Sequence, residues 1–582
     1  MAESGATIGS LPKARKRKKT SAARIAFLIH SATGLWLTLL LTVVMVSGTI
    51  TVIAGEIDWF IYPEARVTPQ GEKLNPGLLM DAVEAAYPDY GIQSMTTGEY
   101  VDRKAVPAFA SAPEGGFRLI WIDQWTGEVT GDTPGVTVGR FLNLLHTTLF
   151  LPLIGRAFVN FFGILMLVSL VTGLITYKKF WRGFLKRPRF SRNARTWLGD
   201  LHRLVALWSL WFLLVIGVTG TWWFYETPLV SMAGAPPIVE HEHEEPHLTQ
   251  EELNALGPET PRRLPAAELV SAVQQTFPEL KPTLLFPPPN AGEPFIVFAD
   301  GGETLTFFGL NEIYINPYTA EIMGIEKASE VGALGRIDEA MLPLHFGSWG
   351  KRGWADIAVK TVWFAGGAAL SFLCVSGLLI YMKRTREALA GVGVSPSRQW
   401  LVRGWNWVKP WGGPMGLLKY LNIAGLVAMG IGGYMLLALV LSGVDNKGYL
   451  YTQKQVGPLE IQLTALAGVL ETGLPPIREG ARTTVLPKVA DGRFRDARFI
   501  WVTAGGTTPP EDPGASADGP EGLAQARVRL PAEFGPDARL WVTVEDWSGE
   551  RYRQSWPLLP DGDEVLNRQA GQSGEPLVSD EQ

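Results

Sequence analysis

The feature that most constrains this chain is that it carries one unit twice. Residues 24–178 and 196–383 align as two copies. His30 and Trp36 correspond to His202 and Trp208, and Ser47-Gly48 to Thr219-Gly220, at a constant offset of 172. Further on, LNPGLLMDAVEAAYPDY from Leu74 matches LPAAELVSAVQQTFPEL from Leu264, each an amphipathic helix pattern ending at a proline, Pro88 or Pro278. LIWIDQWTGEVTGD from Leu119 matches EIYINPYTAEIMGI from Glu312, alternating about a turn as a β-hairpin does. The copies close on LLHTTLFLPLIGR, with His146, and LPLHFGSWGKR, with His345. Each copy predicts a helix out, a small α+β domain, a histidine and a helix back. Both run in the same direction, as parallel repeats do.

Apolar stretches at 25–54, 157–177, 203–225, 357–381 and 417–442 each approach the ~20 residues that cross a ~30 Å hydrocarbon core. Lys and Arg cluster before the first stretch, between the second and third, and after the fourth. That pattern places the tail 1–24 and the loops 178–202 and 382–416 in the cytoplasm. The segments 55–156, 226–356 and 443–582 are then expected outside a bacterial inner membrane crossed by a multi-pass chain. The first apolar run is about twice a 7–15-residue signal core, which predicts an uncleaved anchor. The expected fold is a membrane α-helical bundle of about five spans with a C-terminal β-rich extracytoplasmic domain. The net charge of −5 hides basic inner loops and acidic outer segments, so the basic runs report topology beside a lipid bilayer and imply no nucleic-acid partner. Cys374 is the single cysteine and no CxxCH occurs. Disulfides within the chain, c-type haem and cysteine-held iron–sulfur clusters are thereby excluded.

Four of the seven histidines form two pairs by membrane depth. His30 and His202 sit near the cytoplasmic starts of the outgoing helices, and His146 and His345 just ahead of the returning ones. Ionisable groups in membrane segments are expensive and mark function by default. The pairs His30/His202 and His146/His345 predict two bis-histidine b haems suited to electron transfer. Gly48 and Gly220 each follow their histidine by 18 residues, five helical turns and ~27 Å along a straight helix. Gly173 and Gly377 lie near the cytoplasmic ends of the returning helices. A glycine lets a flat macrocycle approach the backbone, so each haem is expected to meet two histidines from one helix pair and two glycines from the other. Arg203 on the inner side and Arg156, Lys351 and Arg352 on the outer side are candidate propionate partners; the alternative is interfacial snorkelling. For the histidines the alternative is interhelical hydrogen bonding, worth only ~0.6 kcal/mol on average. A bare metal is disfavoured, because two imidazoles without a nearby acid make an incomplete site.

The duplicated unit, with its outgoing H-x5-W and outer LH motifs, resembles the PepSY-associated transmembrane family over roughly 24–383, and its outer halves resemble PepSY domains. That family includes inner-membrane proteins linked to iron uptake and periplasmic ferric-siderophore reductases carrying two b haems. The resemblance implies haem ligation at His30, His146, His202 and His345 and a ferric-siderophore acceptor. The chain departs from the family pattern at Ser31, where an arginine commonly follows the first histidine, and in its added fifth span and tail.

The insertion HEHEEPH at 241–247 offers His241, His243 and His247 as metal ligands; the alternative is a solvated acidic loop. Most of the 21 tryptophans suit an aromatic belt, while Trp208 and Trp211 fall inside the third span, within reach of a macrocycle. The runs RFIWVTA, ARVRL and RLWVTVEDW predict a β-rich domain over about 455–560 with a disordered acidic end. No nucleotide, flavin or nicotinamide fingerprint is present. The expected function is a transmembrane ferric-siderophore reductase fed by a quinol or a cytoplasmic reductase. Two other classes stay open: a siderophore-linked transporter, and a non-catalytic module that binds an extracytoplasmic peptidase.

Overall fold

The computed structural model of the 582-residue chain describes residues 21–36, 38–97, 102–112, 116–177, 179–232, 235–238, 245–256, 263–306, 311–349, 354–390, 424–434, 449–466, 477–489, 496–519, 524–559 and 565–566. Two compact units emerge, one from 1–43, 160–224 and 368–426, the other from 44–159, 225–367 and 427–582.

The helices are α1 (Ala22–Trp36), α2 (Thr38–Thr51), α3 (Ala54–Ile61), α4 (Pro76–Ala86), α5 (Val138–Thr148), α6 (Pro152–Thr176), α7 (Ala194–Trp208), α8 (Leu210–Phe224), α9 (Gln250–Ala255), α10 (Ala266–Thr276), α11 (Ala333–Phe346) and α12 (Trp354–Ala390). Among the described residues two helices are long and apolar enough to cross a membrane by themselves, Ile154–Thr176 within α6 and Trp354–Lys383 within α12. The outgoing stretches 25–54 and 203–225 are not the straight spans the sequence predicts. Each is a pair, α1 with α2 and α7 with α8, bent by 67°. Counting each pair as one span gives four. Of the fifth stretch only the short apolar helix Ala424–Tyr434 is described; the rest of 417–442 lies outside the described residues. At the second bend Ser209 Oγ donates to Val205 O at 2.8 Å, a back-bond that competes with the helical ladder and bends it. The bends fall at matching places in the two copies, between histidine and glycine. The ~27 Å expected for a straight helix therefore does not apply.

Strands β1 (Gly91–Thr96), β2 (Val106–Ser111), β3 (Phe117–Ile122) and β4 (Val129–Pro134) come from the first copy, and β5 (Lys281–Phe286), β6 (Phe295–Asp300), β7 (Asn311–Ile315) and β8 (Ile322–Glu326) from the second. Separate small domains were the expectation for 55–156 and 226–356. Instead the strands form one antiparallel sheet in the order β4-β3-β2-β1-β5-β6-β7-β8, joined where Met95 and Thr96 meet Leu285 and Leu284. The reason is the edge. A four-stranded sheet leaves β1 or β5 with unpaired backbone groups, and pairing the two removes both edges. Leu79, Met80 and Val83 of α4 share one buried core with Leu269, Val270 and Val273 of α10 and with Ile120 and Ile313 of the sheet.

The C-terminal region builds β9 (Tyr449–Tyr451), β10 (Lys454–Val456), β11 (Leu459–Leu466), β12 (Arg482–Val489), β13 (Ala497–Gly505), β14 (Ala515–Ser516), β15 (Ala526–Arg529), β16 (Arg539–Asp546), β17 (Arg551–Pro557) and β18 (Val565–Leu566). They form two sheets, β15-β12-β11-β9-β18 with β10 on β11, and β14-β13-β16-β17. Ile461, Val485, Val502, Leu540 and Trp556 are buried in one core, fed by the alternation that marks a half-buried strand. The domain runs slightly beyond the expected 455–560 at both ends.

Candidate functional site: two histidine pairs

His30 and His202 lie in the first compact unit, on α1 and α7. His30 Nδ1 donates to Ser169 O of α6 at 3.0 Å. A carbonyl only accepts, so the proton sits on Nδ1 and the lone pair remains on Nε2. His202 Nδ1 is 2.7 Å from Ser376 Oγ of α12. Ser376 Oγ donates its own hydrogen to Leu373 O at 3.2 Å, which leaves it the acceptor for His202 and sets the same tautomer. Gly173 lies against His30, where a Cβ would stand 3.3 Å from Cε1, and Gly377 against His202, where a Cβ would stand 3.7 Å from Cε1. Each histidine of this pair is thus oriented by the helix whose glycine it touches.

His146 and His345 lie in the second unit, on α5 and α11. His146 Nδ1 donates to Val44 O of α2 at 2.9 Å, again leaving Nε2 as the free nitrogen. The rings of His146 and His345 stand 6.0 Å apart between centroids, inclined by 40°. Gly48 sits so close to His146 that a Cβ would fall 2.5 Å from Cε1. Gly220 departs from the expectation. It lies in the first unit against Gly163 of α6, where a Cβ would stand 3.2 Å from the Gly163 Cα. Its glycine serves close helix packing, beside Asn160 Nδ2 donating to Trp223 O at 3.0 Å.

Two residues with no part in the sequence expectations position the second pair. Asp58 of α3, buried, accepts from Gly139 N at 2.8 Å and from Thr137 Oγ1 at 2.7 Å, clamping the N-terminus of the helix that carries His146. Thr137 also accepts from Arg140 N at 3.2 Å as N-cap. At His345, Trp363 Nε1 of α12 donates to Leu344 O at 2.9 Å and to His345 O at 3.2 Å. The Trp363 ring fills the space where Gly347, in the left-handed region at φ 69°, would carry a side chain. Thr137 carries the one local signal, an N-cap residue type ahead of α5. Asp58 and Trp363 had no local signature.

Paired imidazoles are the donor type that holds a b-type haem iron. The 6.0 Å between ring centroids brings His146 and His345 close enough to share one metal ion. Imidazole Nε2 ligation with Nδ1–H held by an oxygen is the ordinary outer-shell arrangement for a metal-bound histidine.

The remaining candidates are placed as follows. Arg203 is exposed, bonded to Asp200, and lies over the Tyr177 ring at 5.9 Å. Arg189 grips both Asp200 oxygens, through Nε to Oδ2 at 2.8 Å and Nη2 to Oδ1 at 3.0 Å, so two cations share one carboxylate. Arg156 is exposed; Lys351 and Arg352 lie outside the described residues, as do His241 and His243. His247 is paired with Glu293 Oε2 at 2.8 Å. Among the described residues no three His, Cys, Asp or Glu side chains converge on one point. Trp208 and Trp211 are 63% and 46% exposed, and Trp208 Nε1 donates to Phe184 O at 2.8 Å.

The family described as PepSY-associated TM region matches residues 27–384. Residues 441–559 match a second family, described as an uncharacterised conserved protein. An uncharacterized protein of Pseudomonas aeruginosa is 28% identical over 263 residues, which cover 42% of this chain and 63% of the relative. The chain thus spans a little under two thirds of that relative's length. Matched over more than half its length, and with apolar helices of membrane-crossing size, the chain belongs to the PepSY-associated transmembrane family of membrane proteins.

Proposed function

We propose that this protein is an inner-membrane di-haem b oxidoreductase that delivers electrons to a periplasmic acceptor, ferric iron held in a siderophore. The observation that carries the reading is the shared tautomer: His30, His146 and His202 each spend Nδ1–H on an oxygen of another helix and keep Nε2 for a ligand. Interhelical hydrogen bonding alone would not require a glycine at the ring, yet a Cβ at Gly48 would strike His146 and one at Gly173 would crowd His30, while Gly377 lies at ordinary contact distance from His202.

His30 with His202, and His146 with His345, would hold one haem each, and each haem would supply a one-electron centre. The Nδ1–H donors fix ring orientation and raise the basicity of Nε2. Arg203, which shares Asp200 with Arg189, and the exposed Arg156 are the candidate cations for haem carboxylates among the described residues. Asp58 and Trp363 hold the ends of the helices bearing His146 and His345. Reduction weakens siderophore binding because hard oxygen ligands favour the smaller, more highly charged ferric ion.

The test is the reduced-minus-oxidised visible spectrum and haem-to-protein ratio of wild type, His202→Ala and His345→Ala. Two b haems, one lost or converted in each variant, are expected. A haem-free wild type after haem-sufficient expression would sink the reading.

A transporter is the second reading. The 67° break in each outgoing helix favours it, because discontinuous helices line transporter substrate sites. Uptake of a ferric chelate into proteoliposomes by the His202→Ala variant, at the wild-type rate, would select it.

A further inference from the structure

The eight-stranded sheet and the C-terminal sandwich, both within the second unit, meet at a seam that contains a cavity of about 120 Å³. The seam is tied by Asn290 Nδ2 donating to Asp518 Oδ1 at 3.0 Å and by Tyr318 meeting Trp547 edge-on at 5.6 Å. Two arginines line it, Arg263 ahead of α10 and Arg498 on β13.

Both arginines are incompletely answered. Arg263 gives Nη2 to the Glu84 carboxylate at 2.6 and 2.5 Å, while its buried Nη1 has no hydrogen-bond partner among the described residues. Arg498 is 3% exposed. Its Nη1 donates to Asn254 Oδ1 at 2.9 Å and stands 3.6 Å from Glu545, while Nε and Nη2 are buried with no partner among the described residues. Glu545 is already shared, since Arg551 Nε lies 2.7 Å from its other oxygen. A guanidinium does not shed its proton, and buried donors left unpaired are rare and call for a ligand, water or ion. Burial pulls Arg498 below the usual guanidinium range, opposed by Glu545. Burial also pushes the Tyr318 hydroxyl up, against the pull of the Arg498 and Arg263 charges, which places both cations around this cavity.

The rest of the wall is mixed, with the apolar Phe499, Trp547 and Pro288 beside the polar Glu84, Asn290, Ser516 and Tyr318. Its volume is near the about 150 Å³ that admits one benzene ring in an apolar cavity. A planar fork opposite a carboxylate, beside aromatic walls, is the geometry that selects an organic acid over a bare point charge.

We propose that this seam binds a small organic monocarboxylate with a compact aromatic or apolar body, its carboxylate held by the unpartnered N–H groups of Arg498 and Arg263. The site is independent of the haem reading, because no histidine contributes to it.

Calorimetric titration of the full-length protein in detergent tests this, with benzoate as ligand, benzamide as its neutral isostere and inorganic phosphate as the competing anion. Benzoate is expected to bind saturably with a Kd below about 1 mM, and benzamide at least ~10-fold more weakly, from the loss of charge-assisted bonds. Arg498→Lys, which keeps the charge and loses the fork, and Arg263→Gln should each weaken benzoate by roughly 10–100-fold. If Arg498→Lys does not fold, Arg263→Gln and the wild-type benzoate–benzamide ratio decide. Absence of saturable benzoate binding overturns the proposal. So does equal affinity in the folded variants, or phosphate binding that benzoate does not displace.

Discussion

The two copies of the duplicated unit share a fold and differ in how each detail is held. The first copy caps α4 itself: Asn75 Oδ1 accepts from Gly77 N at 2.8 Å. In the second copy α10 follows Pro265 with no side-chain cap of its own, and Asp81 of α4 accepts from Ala266 N and Ala267 N at 2.7 and 3.0 Å. The hairpin turns use the same device, with Asp123 Oδ1 accepting from Trp125 N at 2.8 Å and Asn316 Oδ1 from Tyr318 N at 2.9 Å. Yet the left-handed residue is Gly127 in one copy and Ala320 in the other. Near the histidines, Gly48 meets an imidazole while its counterpart Gly220 meets a helix. The difference teaches that the copies are no longer independent. The second does without a cap of its own because the first supplies one, and the fused sheet holds the two in place for that exchange.

The largest effect should come from the clamp on α5. Asp58→Ala removes two hydrogen bonds to a carboxylate, each worth about 1.5–3 kcal/mol. Thermal unfolding should show roughly 3 kcal/mol of lost stability, and difference spectroscopy should show the His146/His345 signal altered with the His30/His202 signal kept. Equal loss of both signals would mean the two pairs are not separately built.

The glycine pair sharpens the comparison next. Gly48→Ala and Gly220→Ala each overpack their surroundings, at about 1–3 kcal/mol. With the proposed haems bound, only Gly48→Ala is expected to shift their spectrum, because only its added methyl group strikes a histidine. A spectral change of equal size in Gly220→Ala would restore symmetry between the copies.

The shared cap ranks third. Asp81→Ala should destabilise by about 1–2 kcal/mol, and hydrogen exchange should quicken at the start of α10 although the change lies in the other copy. Protection left intact at Ala266 and Ala267 would show that the cross-copy cap is dispensable.

Alkaline stability should also distinguish the two hairpins. Burial raises the hydroxyls of Tyr314 and Tyr318 above their ordinary range, while the matching Trp121 and Trp125 do not titrate. The folded form keeps protons that the unfolded chain releases near pH ~10, so this contribution is whole below about pH 10 and declines as pH rises toward the folded values. Tyr318→Phe should flatten the fall in melting temperature above that pH; a fall as steep as wild type would assign it elsewhere. The smallest effect is Ala320→Gly. Relief of the left-handed strain, about 1–2 kcal/mol, is offset by about 0.5–1 kcal/mol of backbone entropy. A net stabilisation under about 1 kcal/mol is expected in chemical denaturation.

Much of the plan was readable in the linear chain because it rests on local periodicity. The 3.6-residue pattern after Leu74 and Leu264 became α4 and α10, and the alternating runs from Leu119 and Glu312 became the hairpins β3–β4 and β7–β8. The four histidines stand out by their place at the duplicated apolar spans, Gly48 by its 18-residue offset from His30, and Gly173 and Gly377 by their place near the ends of the returning helices. What escaped was set by contacts far apart in sequence. Asp58 meets Thr137 across 79 positions, and Trp363 reaches back 18 to His345. The cavity at the seam needs Arg263 and Arg498 together, and neither residue stands out in its own segment.

The amino-acid order by itself determined that the unit is doubled, that its ends are apolar, where its histidines fall and that the tail is β-rich. These follow from composition and period, which act over a few residues. Only the tertiary structure decided that the two small domains share one sheet, that both outgoing helices bend, that Gly220 serves packing, and which oxygen takes each Nδ1 proton. Those outcomes depend on which edges and faces remain open once every element has formed, and that competition is settled in three dimensions.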